Sequence, residues 1–295
     1  MTDALPFATF VAPARRRPQF WRLIAGLVVT VAVMALWVGA SVGLLIAALG
    51  VERAMGLVSG IASPTTPVAT FMLLSTFGGM FLGPIVAVWL LHRRGAGTLF
   101  GPARLVLRHF AIAVGIAGAI YALTLGLWSL GFGAIPNVPL GVWIALLPIS
   151  LLGVAIQTGA EELLFRGYMM QQLAARFGTP LIHILVPSLL FGLLHFDPTT
   201  MGSNAWAVVG STAFFGLIAA DLTHATGSIG AAWGVHLVNN VVAILLIATQ
   251  GTITGLALYV TPYAASEVAI TGPLLMADLG LLIAVWAVLR WFLGR

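Results

Sequence analysis

Three short polar motifs interrupt an otherwise apolar chain: Glu161-Glu162-Leu-Leu-Phe-Arg166, Phe191-Gly-Leu-Leu-His195 and His236-Leu-Val-Asn-Asn240. Successive residues of a helix point about 100° apart, so residues four apart share a face. Glu162 and Arg166 are such a pair, and a carboxylate four residues before a guanidinium is a favourable helical ion pair. Glu161 then points elsewhere, has no local partner and is free to face a cavity, where a carboxylate suits the work of a general base. Phe191 and His195 share a face, as do His236 and Asn240. The last two present a ring N–H and an amide N–H together, and two convergent donors can hold an oxyanion. Asn239 points away and is assigned no role.

Each motif has a plainer alternative. Glu161 and Glu162 fit a charge cluster at a helix end, His195 fits a structural histidine, and His236 with Asn240 fits a hydrogen bond joining two helices. Their depth argues for convergence. Glu161 lies 17 residues before the turn signal at Gly178 (178 − 161) and His195 lies 17 after it (195 − 178). An antiparallel pair of helices joined there brings both to one level. Peptide hydrolysis needs an activated water and a place for the charge of the tetrahedral intermediate. Glu161 with His195 suits the first need, and His236 with Asn240 the second. Two histidines and a glutamate are also a ligand set for catalytic zinc, so Glu161, His195 and His236 stand as an alternative metal site. No serine stands beside a base in a recognisable motif, and there is no glycine loop with lysine and no HExxH. Cysteine is absent, which removes thiol nucleophiles, thiolate ligands and disulfides.

The elements that position these groups belong in a bilayer. The 295 residues are 60% hydrophobic and 7% charged, with a mean hydropathy of +1.08. Soluble domains are about a quarter charged, so this chain cannot cover a water-facing surface. About 20 apolar residues cross the hydrocarbon core, and eight runs qualify: Leu23–Val51, Val68–Leu91, His109–Phe132, Leu140–Leu164 (extending towards Arg176), Pro180–Phe196, Ala205–Leu222, Ser228–Thr249 and Pro273–Leu293. Pro180–Phe196 is the shortest. The expected fold is an all-α transmembrane bundle of about eight spans. Residues 1–22 form a cytoplasmic segment, and 23–295 form one membrane domain with a motif-bearing core at about 140–249. The first apolar run is longer than a signal-peptide core, so it reads as a retained anchor. Gln250–Thr271 reads as an outer loop.

All 13 basic residues are arginine. With the N-terminus inside, Arg15, Arg16, Arg17, Arg22, Arg93, Arg94, Arg104, Arg108, Arg166, Arg176, Arg290 and Arg295 fall on the cytoplasmic side, and Arg53 alone falls outside. That asymmetry is the positive-inside pattern, and it places both termini in the cytoplasm. An arginine-only, Ala/Gly-rich composition points to the cytoplasmic membrane of a high-GC prokaryote. Gly79-Met-Phe-Leu-Gly83 has the spacing of a close helix–helix contact. Among the other intramembrane ionisable groups, Asp221 and His224 read as solvating a helix end, Asp278 as half of a structural pair, and His92, His109 and His183 as lying near interfaces.

EExxxR, FxxxH and HxxxN, in that order on successive spans, resemble the CAAX protease and bacteriocin-processing family (CPBP, or ABI) of intramembrane endopeptidases, which includes the type II CAAX prenyl endopeptidases. The resemblance covers about Gly159 to Asn240. It implies a protease in which Glu161 and His195 activate water and His236 and Asn240 form the oxyanion hole. It implies Glu162 and Arg166 in support, no cofactor or metal, and a membrane-associated peptide or protein as substrate. It also implies a cavity among the motif-bearing helices, open to the cytoplasm and to lipid. The rival readings are a zinc-dependent hydrolase, a transporter or proton relay, and a non-catalytic scaffold. Nucleic acid is not an expected partner.

Overall fold

A computed structural model describes residues 5–267 and 272–294. The expectations for residues 1–4, for 268–271 of the outer loop and for Arg295 lie outside the described residues. The chain forms α1 (Leu5–Val11), α2 (Phe20–Leu49), α3 (Val51–Ser59), α4 (Pro67–His92), α5 (Ala103–Trp128), α6 (Leu140–Phe177), α7 (Leu181–Leu193), α8 (Pro198–Thr226), α9 (Gly230–Leu246) and α10 (Pro273–Leu293). Among the described residues, six of these (α2, α4, α5, α6, α8 and α10) are long and apolar enough to cross a membrane.

The eight expected apolar helices are all present, but α7 and α9 are short. At about 1.5 Å per residue they reach roughly 20 and 26 Å, less than the roughly 30 Å of the hydrocarbon core. These two carry the histidine motifs. Most of α9 is buried by its neighbours: Ala231 and Ala232 are fully covered and His236 is 3% exposed. The long helices present apolar side chains outward instead. Leu36 and Leu44 are each 73% exposed, the mark of a lipid-facing surface.

Helix α2 packs along α4 through the small-residue pair seen in the sequence. A Cβ on Gly83 would lie 2.9 Å from the Thr30 Cα, and one on Gly79 would lie 2.8 Å from the Met34 Cα. The two backbones therefore approach as only glycine permits. Helix α6 turns back into α7 at Gly178, whose φ of +63° is natural to glycine. The expected antiparallel pair results. Helix α6 also widens into a π-type segment over Leu163–Met170, directly after the two glutamates. Such wide turns are frequent at functional sites.

The stretch expected as a plain loop, Gln250–Thr271, contains a strand. β1 (Ile135–Pro136), β2 (Ile247–Gln250) and β3 (Tyr259–Ala264) form a small sheet in the order β1-β3-β2, with β1 antiparallel and β2 parallel to β3. The span expected to run to Thr249 stops at Leu246, where Ile247 and Thr249 favour extended backbone. Asn137 ties the sheet down, donating to the carbonyls of Thr254 at 2.7 Å and Ala257 at 2.8 Å.

The arginine-rich end is built differently. Arg17 and Arg22 both donate to the Leu91 carbonyl at the end of α4. Arg94 donates to Gln171 at 2.6 Å, and burial pulls its guanidinium down to about 10. Part of the segment 1–22, expected on the cytoplasmic side, packs on the bundle: Phe7, Phe10 and Val11 are buried, and the Phe7 ring lies 5.1 Å from His183 and 4.3 Å from His224. Asp221, read as solvating a helix end, instead links α8 to α10. Its Oδ2 is 3.1 Å from Arg290 and accepts the Trp286 indole N–H at 2.7 Å.

Candidate active site

The last two turns of α6 before its π-type segment supply Gln157, Glu161 and Glu162, and the segment itself supplies Arg166. Arg166 is 1% exposed, and Glu162 is wholly buried. The Arg166 Nη1 donates to Glu162 Oε1 at 2.9 Å, and its Nη2 donates to the Gly216 carbonyl of α8 at 3.1 Å. Its guanidinium stands 4.9 Å from the Phe191 ring and 5.9 Å from Phe215, within the range of cation–π attraction. A buried charge is tolerable only when paired and hydrogen-bonded; Glu162 meets both conditions through Oε1 alone, its Oε2 having no hydrogen-bond partner among the described residues.

This pair anchors His236. The His236 Nδ1 donates to Glu162 Oε1 at 2.8 Å, which fixes the tautomer at that nitrogen. The opposite nitrogen, Nε2, faces Glu161 Oε2 at 3.2 Å. The distance is that of an ion pair, yet the alignment misses a hydrogen bond, and Glu161 Oε2 has no hydrogen-bond partner among the described residues. A buried carboxylate oxygen left without a donor costs more than a typical hydrogen bond gains. Such exceptions ask for an explanation, catalysis among them.

The spacing argument left Glu161 without a neighbour on its own helix, and its neighbour is His236, across the bundle. His195 is placed by a different bond, with its Nδ1 2.8 Å from the Phe191 carbonyl one turn back, leaving Nε2 for the site. The Phe191 ring separates the two histidines, 4.8 Å from His195 and 5.9 Å from His236. Glu161, Phe191 and His195 share an apolar cavity of about 430 Å³ with Leu27, Met34, Phe77 and Met80 from α2 and α4. Phe191 and His195 also border a smaller chamber of about 100 Å³, together with His236, Asn239 and Asn240.

Three further residues bear on the site. Tyr121 O–H donates to Asn239 Oδ1 at 2.8 Å, Asn239 Nδ2 to Asn240 Oδ1 at 3.2 Å, and Asn240 Nδ2 to Gln157 Oε1 at 2.8 Å. This chain fixes which way the Asn240 amide points and leaves its second N–H for a ligand. Gln157 has a sequence signal, because it precedes Glu161 by four residues on the same face. Asn239, assigned no role from helical geometry, is the middle link. Asp278, expected in a structural pair, makes no hydrogen bond or ion pair among the described residues. Glu161, His195 and His236 do not assemble as a ligand group either. Among the described residues no three His, Cys, Asp or Glu side chains form one, and both ring nitrogens of His236 face carboxylates.

The family described as type II CAAX prenyl endopeptidase Rce1-like matches residues 141–242. The matched stretch spans α6 to α9 and every residue of the cluster except Tyr121, and the long apolar helices make the chain an integral membrane protein. Among curated proteins, the uncharacterized protein YyaK of Bacillus subtilis (strain 168) is 37% identical over 115 residues, which is 39% of this chain and 38% of that protein. The chain thus matches well under two thirds of that relative's length. No solved structure matches the chain.

Proposed function

We propose that the protein is an intramembrane endopeptidase that hydrolyses a peptide bond in a membrane-associated peptide or protein, with no metal or other cofactor. The observation that carries the reading is Glu161: its Oε2 is buried without a hydrogen-bond donor, 3.2 Å from the imidazole Nε2 of His236, in a residue that lines an apolar cavity. A water held between Glu161 and the free Nε2 of His195 attacks the scissile carbonyl carbon. Its proton passes by way of Glu161 to His236 Nε2, which until then carries none. The carbonyl oxygen, turning negative, is received by His236 Nε2–H and the second N–H of Asn240. The proton then goes to the departing nitrogen as the C–N bond breaks, and the products are a carboxylic acid and an amine, which exchange a further proton to leave a carboxylate and an ammonium.

Glu162 and Arg166 hold the His236 ring, and Gln157 holds the Asn240 amide. The substrate's apolar part occupies the cavity between α2, α4 and α6. The arginine-rich end faces the cytoplasm, by the positive-inside pattern, with both termini on that side of a prokaryotic cytoplasmic membrane.

The test is cleavage by the purified protein in proteoliposomes of a panel of membrane-anchored peptides, prenylated and plain, with products read by mass. Cleavage by the wild type and none by Glu161→Ala, at equal folded protein, is the expected result. Equal cleavage by both overturns the assignment of Glu161, and no cleavage by the wild type counts against the protease reading.

A further inference from the structure

The chamber of about 100 Å³ beside His195 and His236 is lined on its far walls by Ser211, Thr212 and Asp278. Its chemistry is lopsided. The Ser211 and Thr212 hydroxyls both donate to the Val208 carbonyl one turn back, at 3.0 and 2.7 Å, so each presents only oxygen lone pairs to the chamber. The Asn239 Nδ2 gives one of its two N–H groups to Asn240. Asp278 adds a carboxylate with no hydrogen bond or ion pair among the described residues. Asp221, between the same two helices, shows the contrast, since Arg290 neutralises it at 3.1 Å. Asp278 is exposed rather than enclosed, and an unpaired acid on a membrane helix marks a functional position unless a partner is found.

Opposite the His236 and Asn240 donors, a wall rich in acceptors and holding one carboxylate is complementary to a cation that only donates. A lysine ammonium has three donors and no acceptor. At roughly 30 Å³ per water-sized group, the volume suits an ammonium head with its last methylenes. We propose that Asp278 is a specificity-determining residue that receives a lysine side chain of the substrate, close to the scissile bond. This rests on the endopeptidase reading above.

The experiment uses the full-length protein in proteoliposomes and membrane-anchored peptides differing by one residue, Lys, Gln or Glu, scanned along positions flanking the cleaved bond. At one position the wild type should favour Lys over Gln by about tenfold in kcat/KM, the scale of a charge-assisted bond, and Glu should be poorest. Asp278→Asn should bring the Lys/Gln ratio close to one, Asp278→Glu should keep it above one, and Asp278→Lys should favour the Glu peptide. Ratios measured within one protein preparation are unaffected by the folded fraction. Wild-type cleavage without charge preference at any position, or an unchanged ratio in Asp278→Asn, overturns the inference and leaves the endopeptidase reading intact. A wild type that cleaves no peptide overturns both.

Discussion

Removing Arg166 and Glu162 together should harm the protein less than the two separate losses added up. The Arg166→Ala variant loses a 2.9 Å bond to Glu162, a 3.1 Å bond to the Gly216 carbonyl and a guanidinium–ring contact at 4.9 Å. It leaves the wholly buried Glu162 with the His236 Nδ1 as its remaining hydrogen-bond partner. An uncompensated buried charge costs about 3–5 kcal/mol, whereas replacing a buried pair by apolar groups of similar size is often close to neutral. Arg166→Ala is therefore expected to lose about 3–5 kcal/mol, Glu162→Ala about as much, and the combined Glu162→Leu, Arg166→Met variant clearly less than the sum. The assay is unfolding in mixed micelles of rising SDS fraction, followed by helicity and tryptophan fluorescence. A coupling of about 0.5–3 kcal/mol is the range for residues in contact, and the account needs the upper half of it. Single variants that each lose under about 1 kcal/mol and add in the double would refute the claim that this pair holds the site.

Gly83→Ala should destabilise the α2–α4 contact by about 1–3 kcal/mol, the usual cost of overpacking, because its Cβ meets the Thr30 backbone at 2.9 Å. Gly39→Ala on the open face of α2, where a Cβ meets nothing within 4 Å, should be neutral or stabilising in the same unfolding assay. Gln157→Leu should lower kcat by about tenfold with KM within about twofold, as expected of a group that aims the Asn240 donor, while Asn240→Ala should cost about a hundredfold, the scale of a lost oxyanion donor. Initial rates on one cleaved peptide decide this. Asp197, two residues past His195, accepts the Thr199 and Thr200 N–H groups at 3.0 and 3.1 Å. Hydrogen bonds from Thr200, first of its side chain and then of its backbone, hold its carboxyl below the ordinary 3.8. A depressed carboxyl stabilises the fold above its unfolded value and ceases to do so as pH falls through the folded one. Amide protection at 199–201 should therefore fall only below about pH 4, and exchange that changes near pH 6–7 would contradict the assignment.

What the sequence made legible follows from local geometry. The Glu162–Arg166 pair, the Gly178 turn and the Gly79/Gly83 contact each depend on residues a few positions apart, and each is present as expected. The eight apolar helices were legible because bilayer crossing sets a length and a composition. The shortness of α7 and α9 was only half legible, since a run of apolar residues does not say where the helix within it ends; Ile247 and Thr249 extend the run but adopt strand. Contacts between distant segments were hidden. Nothing local to Glu161 points to His236, and nothing local to Asp221 points to Arg290. Asn239 was discarded because its face differs from that of His236, but that face meets Tyr121 of α5. Asp278 was given a partner on general grounds, and packing of α10 against α5 and α8 leaves it at a chamber wall instead.

The central claim is that Glu161 drives hydrolysis without a metal, and one measurement reaches it most directly. A peptide that the wild type cleaves is incubated in proteoliposomes with wild-type protein and with Glu161→Gln, each with and without a strong chelator, and the initial rate is read by product mass. The account predicts a wild-type rate unchanged by the chelator and a Glu161→Gln rate lower by at least about a thousandfold, in line with loss of an essential base. A wild-type rate abolished by the chelator and restored by zinc, or a Glu161→Gln rate close to wild type, would contradict it.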